Sequence, residues 1–236
     1  MYIAHRGLHN DCIPENSLGA FQNARKYNFA IELDIRMTKD NVLVIFHDAD
    51  TYRLTGNHKI IEKSTYEELE ELRLKETDQY IPTLQEVLTM VDGKVFLDIE
   101  IKRRNCKNKF LKQIEKELSN YKGQYSIKSF DPLIVRWYKK RNPQISCGVL
   151  SCAFKNDRMP KFLKKILKEC YYVPFYKPDF LAYSLTDFTE KLSLKMQKYN
   201  IPIMLWTIRN EEELAKAKRI TSDIVFENIH LEKKGE

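Results

Sequence analysis

The 236-residue sequence predicts an α/β protein built as one closed (β/α)8 TIM barrel. Short apolar runs rich in branched residues alternate with amphipathic helical runs from one end of the chain to the other. Eight runs have the character of buried strands, which is the strand number of this barrel. A barrel of this kind often spans such a length as one domain, and no composition shift divides the chain, so residues 1–236 are predicted to form a single domain.

The order of elements follows from these runs. Strands are predicted at residues 2–5, 29–35, 95–101, 124–129, 146–150, 179–183, 202–206 and 223–227. Helices are predicted at 16–27, 83–91, 108–120, 131–140, 158–170, 187–199 and 210–218. Asp131 before Pro132 and Asn210 before Glu211 have the capping side chains that begin helices. This alternation predicts parallel strands connected by helices.

One unit departs from the strand–helix repeat. After the second strand, a turn signal at residues 39–41 is followed by the run VLVIFHD, which predicts a hairpin. The polar segment 49–82 comes next, and we interpret it as an insertion over the barrel mouth. It has its own helical stretch, where Ser64 and Glu67 match a capping box.

Composition narrows the classes of partner and compartment. The net charge of +7 favours an anionic partner, which can be a phosphorylated substrate, an anionic membrane surface or nucleic acid. No apolar stretch reaches the roughly 20 residues of a membrane span, and the N-terminus does not have the pattern of a signal peptide. The cysteines form no CxxC pair, so we expect reduced thiols and a cytoplasmic protein. They are Cys12, Cys106, Cys147, Cys152 and Cys170.

Ionisable residues are concentrated at the ends of three predicted strands and the hairpin. In a (β/α)8 barrel the C-terminal strand ends meet at one face, where active sites lie. Residues two apart on a strand point to the same side. The two acids of the second strand therefore share one side, and so do the acid and the lysine at the end of the third strand. The set consists of His5, Arg6, Glu32, Asp34, His47, Glu100 and Lys102.

These residue types together indicate metal-assisted phosphoryl transfer. Three neighbouring carboxylates repel one another unless a cation lies among them, and a hard divalent ion such as Mg²⁺ or Ca²⁺ prefers oxygen ligands. Histidine exchanges protons near neutral pH, whereas Arg6 and Lys102 suit phosphate oxygens. Any one of these residues alone is more often part of a salt bridge or a capped turn. A barrel interior prefers branched apolar residues, which makes a purely structural origin of the whole set difficult to explain.

The motifs resemble those of the glycerophosphodiester phosphodiesterase family. The segments IAHRGLHNDCIPENSLGAFQNA, IELDIRMTKDNVLVIFHD and FLDIEIK match the family elements H-R-G, P-E-N-T/S, E-x-D, T-K-D, H-D and E-x-K in order. The segments SFDP at 129–132 and Trp206-Thr207 are also similar, so the resemblance covers nearly the whole chain. It implies metal-dependent hydrolysis of a small glycerophosphodiester to sn-glycerol 3-phosphate and an alcohol. In the mechanism it implies, the 2-hydroxyl attacks phosphorus and water opens the resulting cyclic phosphate.

The resemblance also implies a role for each matching residue. His5 and His47 correspond to the general acid/base pair. Glu32, Asp34 and Glu100 correspond to the metal ligands, and Arg6 and Lys102 to the phosphate contacts. Glu15 belongs near the mouth, where we expect it to orient Arg6 or a histidine. Trp206 corresponds to an apolar wall for the glycerol part, and Phe130 is either part of that wall or an ordinary buried aromatic residue.

One position departs from the family pattern. Many members end the eighth strand with T-D-x-P, whereas this chain reads SDIVFEN at 222–228. Glu227 is either a replacement for that aspartate or a partner in a salt bridge that closes the barrel. The departure leaves the choice of alcohol open.

Two other functions fit parts of the sequence. A lysophospholipase D or related phospholipase-type enzyme would share the barrel and both histidines, but the insertion is polar and charged, which favours a substrate without acyl chains. A phosphate- or nucleic-acid-binding module would share the positive charge, but no nucleic-acid motif occurs, so we expect no nucleic-acid partner. The run KFLKKILK at 161–168 fits an outer barrel helix or peripheral contact with an anionic membrane. We expect a monomer or homodimer.

Overall fold

The computed structural model describes residues 1–102, 107–155, 157–229 and 231, and Cys106 lies outside these ranges. Within the described ranges, eight parallel strands and one antiparallel strand form one continuous sheet. The strands are β1 (Tyr2–Ala4), β2 (Ala30–Met37), β3 (Leu43–Ile45), β4 (Leu97–Ile101), β5 (Tyr125–Ser129), β6 (Ser146–Ser151), β7 (Phe180–Ser184), β8 (Ile203–Ile208) and β9 (Asp223–Phe226).

The sheet closes into the predicted barrel through β1. This strand pairs in parallel with β2 on one side and with β9 on the other. The remaining parallel strands follow in the order β8, β7, β6, β5, β4 and back to β2. Strand β3 pairs with β2 in antiparallel register, with Ile35 opposite Ile45, which is the predicted hairpin. The closed (β/α)8 prediction is therefore confirmed.

Helices cover the outside of the barrel. They are α1 (Leu18–Lys26), α2 (Tyr52–Thr55), α3 (Tyr66–Glu70), α4 (Leu84–Val91), α5 (Lys107–Leu118), α6 (Pro132–Arg141), α7 (Lys161–Lys168), α8 (Val173–Tyr176), α9 (Glu190–Lys198) and α10 (Glu211–Lys218). Asp131 and Asn210 cap α6 and α10 by accepting hydrogen bonds from Leu133 N and Glu213 N, as predicted. The predicted helix at 158–170 is shorter, because the chain turns after Lys168 and forms α8 separately.

Side chains alternate along each strand between the layer that faces the helices and the interior of the barrel. That interior is polar on some strands and apolar on others. In β2 the residues Ile31, Leu33 and Ile35 pack against the helices, whereas Glu32 and Asp34 point to the opposite side, into the barrel. On β6 to β9, by contrast, the barrel interior is filled by apolar residues such as Leu150, Ala182, Met204 and Val225. One side of the barrel interior is thus buried and polar, with its polar residues on β2, β4 and β5.

The segment 49–82 has a small hydrophobic cluster of its own. Leu54, Ile61, Leu69, Leu74 and Ile81 pack there with Val44 and Phe46 from the hairpin. The capping box of α3 begins one residue later than predicted, at Thr65 with Glu68. Ser64 cannot cap this helix, because it ends the preceding 3₁₀ turn and its hydroxyl donates to the carbonyl of Ile60.

In the described residues, no helix combines the length and the apolar character that crossing a bilayer would need.

Candidate active site

A cavity of about 260 Å³ opens at the face of the barrel where the C-terminal ends of the strands meet. We call this face the mouth. The position of the cavity follows from the fold, because parallel barrel strands direct their C-terminal ends to one face. Most of the predicted site residues line it together. The lining residues are His5, Arg6, Glu32, His47, Glu100, Lys102, Lys128, Phe130, Leu150, Trp206, Thr207, Arg209 and Val225.

Three buried carboxylates form a cluster at one side of this cavity. One oxygen from each of Glu32, Asp34 and Glu100 lies within 4.8 Å of the others. Two features of the sheet bring them together: Glu32 and Asp34 share one face of β2, and Asp34 is in register with Glu100 on the neighbouring β4. Glu32 and Glu100 line the cavity, whereas Asp34 lies behind it, only 1% exposed.

Positive charges compensate the cluster. Lys102 Nζ lies 2.8 Å from Asp34 Oδ1 and 2.5 Å from Glu100 Oε1. Burial by itself would raise the pKa of Asp34, but the charges of Lys102, His47 and Arg6 hold that pKa well below its usual value. For Glu100, burial dominates and the pKa is raised, despite the attraction of Lys102. Within the cluster, the ionised form of Asp34 is therefore favoured, whereas Glu100 accepts a proton more readily.

The donor set of the cluster fits a hard divalent cation. All three ligating groups are carboxylates, and oxygen ligands of this kind suit Mg²⁺ and Ca²⁺. Buried like charges at this separation favour a cation among them. Glu32, Asp34 and Glu100 are thus the residues that could hold such an ion.

His5 is held by a carboxylate at the end of the last strand. Its Nδ1 lies 2.5 Å from Oε2 of Glu227, and Arg209 Nε lies 2.5 Å from the other oxygen of Glu227. Burial opposes ionisation of Glu227, but the bonds and charges of His5, His9 and Arg209 outweigh it and lower the pKa strongly. Glu227 therefore forms a salt bridge between the ends of β9 and β1, which is one of the two interpretations that the sequence left open.

His47 has an equivalent arrangement at the end of the hairpin. Its Nδ1 lies 2.7 Å from Oδ1 of Asp48, and Arg53 Nε donates to the other oxygen of Asp48 at 2.6 Å. Burial lowers the pKa of His47 below its usual value, with Asp34 opposing and Lys102 assisting this shift. A lowered pKa favours the neutral imidazole, which is the form that can accept a proton.

Arg53 also reaches the carboxylate of Glu15. Its two terminal nitrogens donate to the two oxygens of Glu15 at 2.9 and 2.7 Å, and Arg6 Nη1 donates to the same carboxylate at 2.6 Å. Burial would raise the pKa of Glu15, but the two arginines lower it to about 2. Glu15 does not line the cavity, so it supports Arg6 from behind, in line with the expectation that it orients a neighbour.

Aromatic side chains form the opposite side of the cavity. Phe130 contacts Trp206 edge-on with ring centroids 5.8 Å apart, and Phe154 contacts Phe130 in the same manner at 6.0 Å. Phe130 thus belongs to the wall of the cavity. The indole Nε1 of Trp206 is buried and has no hydrogen-bond partner in the described part of the chain, which leaves a donor free at this wall.

Comparisons with known proteins identify the family of this chain. The model of the Glycerophosphoryl diester phosphodiesterase family matches residues 5–228. The chain belongs to this family. Among its relatives, a glycerophosphodiester phosphodiesterase from Caldanaerobacter subterraneus is 28% identical over 254 residues, covering 100% of this chain and 98% of that protein.

Solved structures of the family share the barrel. The glycerophosphodiester phosphodiesterase from Thermotoga maritima is 26% identical, with a TM-score of 0.76 over 95% of this chain and 93% of that one. An Oleispira antarctica phosphodiesterase, solved in complex with the product sn-glycerol-3-phosphate, has a TM-score of 0.82 over 96% of this chain and 92% of that one. At 21% identity, this comparison shows a likeness in fold alone.

Several residues in and around this cavity were not predicted from the sequence. Lys128 is 2% exposed, lines the cavity, and places its Nζ 2.6 Å from Asp98 and 3.3 Å from Glu32. The alternation of β5 could have revealed it, because Ser126 and Lys128 share the inward face that Asp98 occupies on β4. The sequence contains no such signal for Arg53 and Arg209. Arg53 contacts Glu15 and Arg209 contacts Glu227, and only the folded structure brings these pairs together.

Proposed function

We propose that this chain hydrolyses glycerophosphodiesters to sn-glycerol 3-phosphate and an alcohol. The observation that supports it most is one cavity lined by His5, His47, Glu32 and Glu100, with Asp34 completing the carboxylate cluster behind it. Family membership supports the same reaction, as does the naming of its relatives as glycerophosphodiester phosphodiesterases.

The histidines would exchange the protons of the reaction. A carboxylate at Nδ1 favours the tautomer with its hydrogen on Nδ1, which leaves Nε2 of the same ring as the exchanging atom. One imidazole would take the proton of the substrate's 2-hydroxyl as that oxygen attacks phosphorus. The other would give a proton to the oxygen of the departing alcohol. Water would then open the cyclic phosphate with the two roles exchanged.

Charged side chains would bind the phosphate. Arg6 and Lys102 both line the cavity and offer N–H donors to phosphate oxygens, with Arg6 held in place by Glu15. Glu32, Asp34 and Glu100 would hold Mg²⁺ or Ca²⁺. When bound, such an ion supplies a Lewis acid that neutralises negative charge on phosphate and lowers the pKa of a coordinated hydroxyl.

The cavity favours a small headgroup substrate over a lysophospholipid. Pockets for drug-sized ligands measure roughly 300–1,000 Å³, whereas this cavity of about 260 Å³ matches a glycerophosphate unit. Phe130 and Trp206 give it one apolar wall, against which the carbons of glycerol can pack. An acyl chain would extend outside this volume.

We also propose that the chain is one domain whose insertion, 49–82, borders the mouth. Arg53 of α2 supports this proposal, because its side chain reaches Asp48 beside the cavity and Glu15 on the connection after β1.

Release of glycerol 3-phosphate tests the proposed function. Glycerophosphocholine, glycerophosphoethanolamine and glycerophosphoglycerol should be hydrolysed, and lysophosphatidylcholine should react much more slowly.

EDTA should abolish the activity and Mg²⁺ or Ca²⁺ should restore it. The variant Glu100→Gln, which alters the carboxylate cluster, is compared with Glu211→Gln as its matched control. Glu211 is an exposed acid on α10. Full activity in EDTA would remove the metal from the proposal, and no release from any diester would overturn the function.

A further inference from the structure

Helix α7 differs from the other long helices around the barrel in how little it is covered. Helix α4 has the same length of eight residues and buries four of them, whereas α7 has no buried residue. Apolar side chains nevertheless make up half of α7. Packing on the barrel therefore does not account for the whole apolar surface of this helix.

The faces of α7 are sharply divided. At 100° per residue, its four lysines fall on one side and its four apolar residues on the other. Leu167 packs against the barrel core, and Leu163 on the same side of the helix is half-buried. Phe162 is 68% exposed and Ile166 is 38% exposed, one turn apart, so they form an uncovered apolar ridge between the packed side and the lysines.

The charge of α7 has one sign. The helix contains no acidic residue, and its four lysines form no ion pair within the described part of the chain. Other lysines of the molecule do find partners, such as Lys139 with Asp179 and Lys216 with Glu212. The lysines of α7 are Lys161, Lys164, Lys165 and Lys168.

Helix α7 lies on the same rim of the barrel as the cavity. Its last carbonyls accept hydrogen bonds from side chains at the mouth ends of two strands, Ser151 Oγ to Leu167 at 2.9 Å and the Tyr183 hydroxyl to Lys168 at 3.1 Å. The connection that leads from β6 towards α7 packs Phe154 on Phe130, which lines the cavity. A surface that contacts α7 would thus lie next to the mouth.

We propose that α7 docks this protein on an anionic lipid surface. Phe162 and Ile166 enter the boundary between headgroups and acyl chains, and the lysines contact lipid phosphates. A nucleic acid would match the lysines but leave the apolar ridge in water. A two-fold contact with a second copy through this helix would bring lysines of both copies together, because such an interface uses the same surface twice. The charge and the ridge together fit lipid.

Vesicle flotation tests this proposal without reference to hydrolysis. The wild-type protein should float with vesicles of phosphatidylcholine containing about 30% phosphatidylglycerol, and not with phosphatidylcholine alone. Binding should weaken in about 0.5 M NaCl, because salt screens the lysines. Lys161→Gln with Lys165→Gln should lower the partition coefficient about tenfold or more. Phe162→Ser with Ile166→Ser should lower it as well.

Helix α9 offers a matched control. It exposes Leu194 at 59% between Lys191 and Lys198, so Leu194→Ser with Lys191→Gln and Lys198→Gln makes an equivalent change elsewhere. This control should float like the wild type. Insertion itself is measured with Phe162→Trp, whose fluorescence should be quenched by brominated lipid, whereas that of Leu194→Trp should not. This second measurement does not depend on the stability of the serine variants.

Any one of the following outcomes would overturn the proposal. The first is the absence of flotation with anionic vesicles at low salt. The second is an equal loss of binding in the α9 control. The third is binding to a short DNA duplex in place of vesicles, or a change from dimer to monomer in Phe162→Ser with Ile166→Ser, either of which would assign the surface to another partner.

Discussion

The Nδ1 atom of His47 lies 2.7 Å from Oδ1 of Asp48. The second oxygen of Asp48 is bonded by Arg53, so an arginine, a carboxylate and an imidazole stand in series. The same series occurs on the other histidine, where Arg209 bonds Glu227 and Glu227 contacts His5. Each imidazole is thus held at one nitrogen by a carboxylate that is itself held by an arginine.

Removal of either imidazole should nearly abolish hydrolysis. We expect His5→Ala and His47→Ala to lower kcat about 10²–10⁴-fold each, because each removes one group that exchanges a proton in the transition state. Glycerol 3-phosphate release measures the effect, and circular dichroism checks the fold. His58→Ala, on the exposed surface of the insertion, is the matched control and should retain full activity. Near wild-type kcat in both site variants would contradict the acid–base assignment.

Loss of Arg53 should slow catalysis although Arg53 does not line the cavity. Arg53→Met removes the hydrogen bonds to Asp48 and Glu15, which orient His47 and Arg6. Outer contacts of this kind are typically worth about 10–100-fold, and we expect a decrease of this size in kcat/KM. Arg53→Lys should recover part of it. Arg73→Met is the control, because Arg73 is in the same insertion and bonds only backbone carbonyls among the described residues. Equal activity of Arg53→Met and Arg73→Met would show that Arg53 has no such role.

Glu15 should stabilise the fold in a pH-dependent way. Its pKa is about 2 in the folded chain against a usual 4.5, so the folded state binds the proton less tightly than the unfolded state. Its contribution to the free energy of unfolding is therefore complete above pH 4.5 and is lost as the pH falls towards 2. We expect Glu15→Gln to lower that free energy by about 2 kcal/mol at pH 7, because Arg53 is partly exposed and solvent weakens its share.

Urea unfolding of the wild type and Glu15→Gln between pH 7 and pH 3 measures this difference, which should shrink as the solution becomes more acidic. The control is Glu67→Gln, an exposed acid on α3. A difference that is constant across the pH range would mean that the carboxylate charge is not its source.

Trp206 should contribute both an apolar surface and a hydrogen-bond donor to substrate binding. Trp206→Phe keeps an aromatic wall but removes the buried Nε1 donor, and Trp206→Ala removes both. We expect kcat/KM to fall about tenfold in the first variant and further in the second, chiefly through KM. Trp137→Ala on the outer helix α6 is the control. If Trp206→Phe matched the wild type, the indole N–H would have no role in binding.

The strand alternation of the chain determined much of this site in advance. Glu32 and Asp34 on β2, and Glu100 and Lys102 at the end of β4, could be placed from their spacing, because residues two apart share a face of a strand. The barrel itself followed from eight strand runs separated by helices, since the hydrophobic pattern of each element is local in sequence.

Only the tertiary structure decided which groups support the histidines. Glu227 meets His5 because β9 pairs with β1, although 222 residues separate them in the chain. Arg53 meets Glu15 because the segment 49–82 packs through its own small apolar cluster against the hairpin. These contacts depend on closure of the barrel and on packing of a loop, and neither leaves a periodic pattern in the sequence. The chain thus specified its strands and its reacting groups residue by residue, whereas the orientation of those groups arises from contacts between distant segments.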